Sequence, residues 1–192
     1  MCNRGVGAEC LGCAPADTCA DEGYDADRCC ANFLDVTFFM RNMTGSLGPV
    51  TPVQLYLFVE FATEASTTAL LVSPRDALDA LNGIAYAGGR TNHAGAIRAC
   101  ASTWDARRSG NVLLLITNGW PTVPGENPRY TSLQAAREAE QRGAFIIPVM
   151  ITQNVIVTPE STAYLKELST DGTVFEVSNF GALDSIRESL LA

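Results

Sequence analysis

The chain has 192 residues, 47% of them hydrophobic and 18% charged, enough for one full domain plus a small extra segment and too apolar for a disordered polymer. Its formal net charge of -8 disfavours nucleic acid as a partner, because phosphate binding needs an excess of Lys and Arg. No apolar run reaches the roughly 18 to 20 residues of a membrane span, and the start, Met1 to Gly5, lacks the apolar stretch of a secretory signal.

Six of the seven cysteines, Cys2, Cys10, Cys13, Cys19, Cys29 and Cys30, crowd the first 30 residues. With so few apolar neighbours this stretch, residues 1–32, reads as a disulfide-stapled segment, which points to an extracellular or secreted protein. Fifteen connectivities are open. A zinc site using the Cys10/Cys13 pair, and a leader without structure, are the alternatives. Cys100 stands alone inside a helical pattern and reads as a buried thiol.

From residue 33 to 192 the pattern alternates. Phe33 to Met40 is an apolar, β-branched run that reads as a first strand, closed by the polar turn Asn42-Met43-Thr44-Gly45-Ser46. Val53 to Phe61 is a strong strand and Ala69 to Val72 a weaker one. Ser73-Pro74 opens a helix as N-cap and first-turn proline. A Gly-rich loop, Ala87 to Thr91, precedes a helix from Asn92 to Asp105. Asn111 to Thr117 and Ala144 to Ile151 are fully apolar strands, separated by a helix over Ser132 to Arg142 that stops at Gly143. A helix over Pro159 to Leu168, a strand over Val174 to Val177 and a helix over Ala182 to Leu191 complete the chain. Buried strands alternating with helices predict a doubly wound α/β fold, a mostly parallel sheet with helices on both faces. Loops at the carboxyl ends of such strands gather the ligands. Those loops carry Asn42, Thr44 and Ser46, then Thr91, then Asn118.

At these residues the chain resembles von Willebrand factor type A domains. The matching pieces are Asn42-Met43-Thr44-Gly45-Ser46, Gly88-Gly89-Arg90-Thr91-Asn92 and Thr117-Asn118-Gly119, continuing through Gly143 to Val149 and Tyr164 to Leu168. The resemblance implies a metal-ion-dependent adhesion site in which Thr44, Ser46 and Thr91 would be hydroxyl ligands of Mg²⁺, while Asn42 and Asn118 stand where the family has aspartates. Mg²⁺ seeks about six oxygens near 2.1 Å, and a carboxylate and a divalent ion about 4 Å apart attract by about 8 kcal/mol at an effective dielectric near 20. Asparagine keeps an acceptor oxygen and forfeits that charge. The expectation is therefore a degenerate site with no required cofactor, at most weak Mg²⁺ or Mn²⁺ binding, and loops joined by asparagine hydrogen bonds.

Two further readings attach to this face. Asn42-Met43-Thr44 is an Asn-x-Thr glycosylation sequon. Only Leu47 to Pro52 separates the first turn from the second strand, where the family has a long helix, so the first crossover helix is missing and the second strand lacks its expected cover. What the resemblance implies about function is a non-enzymatic adhesion or protein-binding module, with another protein from the matrix or a cell surface as partner. Arg41, Arg90 and Trp120 are the side chains expected to meet it without a bridging ion. An intracellular scaffold with the same domain is the alternative. A doubly wound enzyme is the third reading, weakened because His93 and Cys100 lie two helical turns apart, beyond reach of a nucleophile and its base.

Overall fold

The computed structural model describes residues 26–47, 56–68, 71, 73–84, 90–104, 110–152 and 157–191. The cysteines Cys2, Cys10, Cys13 and Cys19 fall outside the described residues, as do Gly88 and Gly89 and the stretch 48–55 that was to start the second strand.

Three parallel strands form the centre: β3 (Asn111–Thr117), β4 (Ala144–Ile151) and β5 (Phe175–Val177), in the order β3-β4-β5. β3 and β4 pair residue for residue from Asn111↔Ala144 to Thr117↔Met150. Beside them, β1 (Val59–Phe61) and β2 (Ala65–Thr67) make an antiparallel pair that continues to a bridge between Tyr56 and Leu71. Of the run Ala69–Val72 expected as a weaker strand, only Leu71 is among the described residues, and it makes this bridge. The helices are α1 (Ala26–Leu47), α2 (Pro74–Leu81), α3 (His93–Ser102), α4 (Pro128–Glu140), α5 (Pro159–Leu168) and α6 (Arg187–Leu191), the last preceded by a 3₁₀ turn over Phe180–Ile186.

The α/β expectation holds, with one correction of substance. Phe33 to Met40, read as a strand, lies in the middle of α1, and the polar turn Asn42 to Ser46 forms the helix's last turns. A short apolar run does not distinguish a buried strand from a buried helix. The packing does: Val36, Phe39, Met40 and Met43, spaced i, i+3, i+4 and i+7, all pack on one cluster with Val149, Ile151, Val177 and Leu183. α1 also runs across the boundary at residue 32, so Cys29 and Cys30 belong to the helix that enters the domain.

α1 thereby changes what covers the sheet. Leu113, Leu115, Ile146 and Met150 face one cluster, with Ile97, Ala135, Ala139, Tyr164 and Leu168 from α3, α4 and α5. Leu114, Ile116, Val149 and Ile151 face the opposite one, under α1 and the 3₁₀ turn. The period of two along each strand produces this division. The second strand is covered as well. Tyr56 and Phe58 are buried against Ala77 and Leu81 of α2 with Met40 of α1 beside them, and Phe61 packs on the α3 side. On the described part of that strand α1 and α2 supply the cover, while the segment expected to lack a crossover helix falls within the stretch 48–55, outside the described residues. Among the described residues the Tyr56 hydroxyl is a buried polar group without a partner.

Local signals fix the helix ends. Ser73 caps α2 by accepting from Asp76 N at 3.1 Å, with Pro74 at the first turn. Thr158 and Ser161 form a reciprocal capping box at the start of α5. α4 begins at Pro128 rather than at Ser132, because Asn127 accepts from Tyr130 N at 3.1 Å and Pro128 suits the first helical position. After α4, Gly143 takes φ 85°, a left-handed conformation that an L side chain resists.

Candidate functional site

Three segments meet beyond the carboxyl ends of β1 and β3: the turn Ala62–Glu64, the segment Arg90–Asn92 and the segment Asn118–Val123. Main-chain and short polar groups lace them together. Arg90 N donates to Thr63 Oγ1 at 3.2 Å, and Asn92 Nδ2 donates to Thr63 O at 3.0 Å. Thr91 N donates to Thr122 Oγ1 at 3.0 Å, while Thr122 N and Val123 N donate to Thr91 O at 2.9 and 3.3 Å. The carbonyl oxygen of the Asn92 side chain caps α3 by accepting from Gly95 N at 2.8 Å. A Cβ on Gly95 would sit 2.8 Å from Asn92 Nδ2, so only glycine allows this cap to approach so closely.

Beneath the rim lies a buried polar chain. His93, 0% exposed, places Nδ1 3.0 Å from Tyr164 Oη and Nε2 2.9 Å from Thr117 Oγ1. A neutral imidazole donates from one nitrogen and accepts at the other, so both neighbours can be satisfied at once. Burial pushes the His93 pKa down to about 3, which keeps the ring neutral. Thr117 Oγ1 in turn lies 3.3 Å from Gly119 O and 3.4 Å from Gly119 N, shaping the turn at Asn118-Gly119. Burial likewise raises the pKa of Tyr164, a rise opposed by a hydrogen bond with Ser132 and by the Arg129 charge. His93 is also flanked edge-on by the Phe61 ring, 5.7 Å between centroids.

Above that chain the Trp120 indole tilts against Tyr164, 5.4 Å between centroids, and the guanidinium of Arg129 lies 4.1 Å from the Trp120 ring centre. Trp120 is half-buried and belongs to the edge of the α3–α5 core. It supports the rim from below and carries Arg129 on its face. Sequence reasoning passed over Arg129 by starting α4 four residues late; the pair Asn127-Pro128 was the signal that places it at the rim. Thr122 and Tyr164 carried no pattern that would have found them.

The residues expected to hold a metal are distributed as follows. Asn42 Nδ2 donates to Asp184 Oδ1 at 3.0 Å, and Thr44, 3% exposed, donates its hydroxyl to Met40 O at 2.8 Å within α1. Ser46 is half-buried in the helix's last turn, and Asn118 is exposed in the turn after β3. Thr91 binds the Thr122 loop. Among the described residues no hydrogen bond joins the α1 group to Thr91 or Asn118. In this set the Thr44 hydroxyl is engaged by the helix backbone and no carboxylate is present, and among the described residues there is no group of three or more His, Cys, Asp or Glu that could hold a metal. The Asn42 sequon lies within α1, with its threonine buried. Arg41 donates to the Asn82 side chain at the end of α2, whereas the Arg90 side chain is exposed at the rim.

Two groups considered for catalysis are occupied or inert. Both nitrogens of His93 are engaged, and burial raises the Cys100 thiol to about 11, which leaves no thiolate at neutral pH.

The sequence profile of the von Willebrand factor type A domain matches residues 31–189. Among solved structures the chain is similar to proximal thread matrix protein 1 from the mussel byssus, with 17% identity, a TM-score of 0.68, and coverage of 83% of this chain and 42% of that one. The pilus adhesin SpaC from Lactobacillus rhamnosus GG shares 11% identity at a TM-score of 0.66, over 82% of this chain and 27% of that one. The conserved hypothetical protein BatB from Bacteroides thetaiotaomicron shares 17% at 0.61, over 83% and 86%. The chain thus spans less than half the length of the first two. At such identities the likeness speaks for the fold. No match was found among curated proteins. No helix among the described residues is long and apolar enough to cross a membrane.

Proposed function

The chain belongs to the von Willebrand factor type A family, and from that premise we propose that it is a protein-binding module of an adhesive or matrix protein, working outside the cell and without a bridging metal ion. The observation that carries this reading is the rim itself. The Arg90–Asn92 segment is tied to the turn after β1 and to the loop after β3, all resting on the satisfied His93 chain. Loops fixed on a rigid scaffold lose little entropy when a partner binds. The family's domains are usually binding modules, and two of the similar structures are a thread matrix protein and a pilus adhesin. The neutral asparagines, Asn42 and Asn118, and the Thr44 hydroxyl turned into its own helix support binding that needs no cation. The burial of His93 and the raised pKa of the half-buried Cys100 thiol support binding over catalysis. We read the Asn42 sequon as unmodified, because its threonine is packed away.

The test uses the full chain immobilised against extracellular matrix extract, washed with and without EDTA, beside the Arg90→Ala variant. Retained proteins should survive the chelator, and Arg90→Ala should weaken their retention roughly fivefold, about 1 kcal/mol at a contact residue. Release by EDTA with no effect of Arg90→Ala would return the argument to an active metal site. Trp120→Ala is the poorer probe, since that ring is also part of the core.

A further inference from the structure

Two adjacent cysteines, Cys29 and Cys30, lie in the helical backbone near the start of α1. Successive residues of a helix have Cα atoms about 3.8 Å apart, short of the roughly 4.4 to 6.8 Å that a disulfide spans. They also stand about 100° apart around the axis. The two cannot bond to each other while α1 keeps its form. Helical register separates them further. Cys29 falls seven residues before Val36 and eleven before Met40, on the stripe that packs over the sheet. Cys30 falls eleven before Arg41, which donates to Asn82 at the end of α2. Cys100, the seventh cysteine, belongs to α3 and packs on the cluster across the sheet. That leaves an even set of six cysteines within the first 30 residues.

The direction of α1 fixes where its two cysteines stand. Phe39 packs on Val149, Ile151 and Val177, toward the carboxyl ends of β4 and β5. Four residues nearer the helix start, Asp35 Oδ2 lies 3.8 Å from where a Cβ on Gly181 would sit, and Gly181 is already four residues past the end of β5. α1 thus runs against the strands. Cys29, six residues before Asp35, is about 9 Å nearer the helix start, at the end of the sheet that also carries the rim loops.

We infer that Cys29 and Cys30 are two separate mooring points for the cysteine-rich segment: each forms a disulfide with a different one of Cys2, Cys10, Cys13 and Cys19, and the remaining two of those four join each other. Each bond forms by thiol–disulfide exchange with an oxidised glutathione-type disulfide, which takes up the two electrons and two protons of the thiol pair and leaves as two thiols. Excluding the Cys29–Cys30 bond removes three of the fifteen connectivities. Both crosslinks then attach that segment to α1 at the rim end of the domain. The inference rests on the extracellular reading above, because an oxidising compartment is what keeps such bonds.

The test refolds the reduced full chain in a mixture of reduced and oxidised glutathione, alkylates it under denaturing conditions and maps its tryptic peptides without reduction. Cleavage after Arg4, Arg28 and Arg41 puts Cys2 in residues 1–4, Cys10, Cys13 and Cys19 in residues 5–28, and Cys29 with Cys30 in residues 29–41. Every connectivity of the inferred kind joins these three peptides into one covalent unit, with Cys100 as the one alkylated cysteine. In Cys29→Ser the alkylated thiols should rise from one to two, the new one lying in residues 1–28, whereas a bond between the neighbours would release Cys30 instead. Residues 29–41 recovered alone, two hydrogens lighter than their reduced form, would overturn the inference and leave the extracellular reading standing. Six alkylated thiols in residues 1–41 after oxidation would overturn both.

Discussion

The two faces of the β3-β4-β5 sheet are covered by different means. On the α3–α5 side a compact apolar cluster ends at the strand tips in a polar chain, Thr117–His93–Tyr164, every member of it buried and hydrogen-bonded. On the α1 side the contacts are mainly apolar, led by Phe39, with the Asn42–Asp184 hydrogen bond beside them, and the cover stops short. Val112 is 61% exposed and Phe145 39% exposed at the amino ends of the strands, beside a groove of about 180 Å³ lined by Ile147, Phe175 and Leu190. One face uses directional bonds, which fix loop positions to a fraction of an ångström; the other uses area, which tolerates adjustment. The rim loops stand on the directional face, where a binding site needs its scaffold to be rigid.

The strongest blow to the apolar face is Phe39→Ala. The ring is fully buried where α1 meets Val149, Ile151 and Val177, and its loss should cost about 3 to 5 kcal/mol, read from denaturant unfolding. Because Phe39 makes its contribution through area, Phe39→Leu should cost much less. Equal losses for the two would mean that α1 is not docked as described.

The polar face should show itself through pH. His93 has its pKa depressed from 6.5 to about 3 in the folded protein, so between those values the unfolded chain binds the extra proton. Stability is then complete above about pH 6.5 and falls as pH drops toward 3, by about 1.4 kcal/mol per pH unit across the window. Unfolding measured at pH 7 and pH 5 should therefore differ by about 2 kcal/mol from this group. His93→Phe should abolish that difference and cost about 3 kcal/mol at pH 7, since Thr117 and Tyr164 lose their shared partner. A variant that keeps the wild-type slope between pH 7 and 5 would show that His93 is not the titrating group.

Val112→Lys marks the weak end of the comparison. The side chain lies on the α1 side of β3 but outside its cover, so the change should stay within about 0.5 kcal/mol. A loss of more than about 2 kcal/mol would mean that the uncovered corner is packed in solution.

Much of the polar face was legible in the chain. Asn111–Thr117 and Ala144–Ile151 announce buried parallel strands by unbroken apolar runs, Ser73-Pro74 announces a helix start, and Gly143 a helix end. The Asn92 cap belonged to the same local vocabulary. Illegible were the groups joined across sequence: His93 with Tyr164 spans 71 positions, and Trp120 became the bed for Arg129 only once α4 had folded back beside it.

What the sequence determined by itself was the α/β class and most of the elements after Ser73, because capping geometry and hydrophobic period act over a few residues. What the tertiary structure alone decided was the state of Phe33 to Met40. Its apolar residues suit a strand by composition and a helix by their spacing at Val36, Phe39, Met40 and Met43. Composition and spacing carry comparable local weight, and the choice falls to the surface offered by Val149, Ile151, Val177 and Leu183, which a helix face fills. With that choice Asn42, Thr44 and Ser46 became helix residues, since a ligand loop needs strand geometry before it and an α-helix takes up its backbone groups internally.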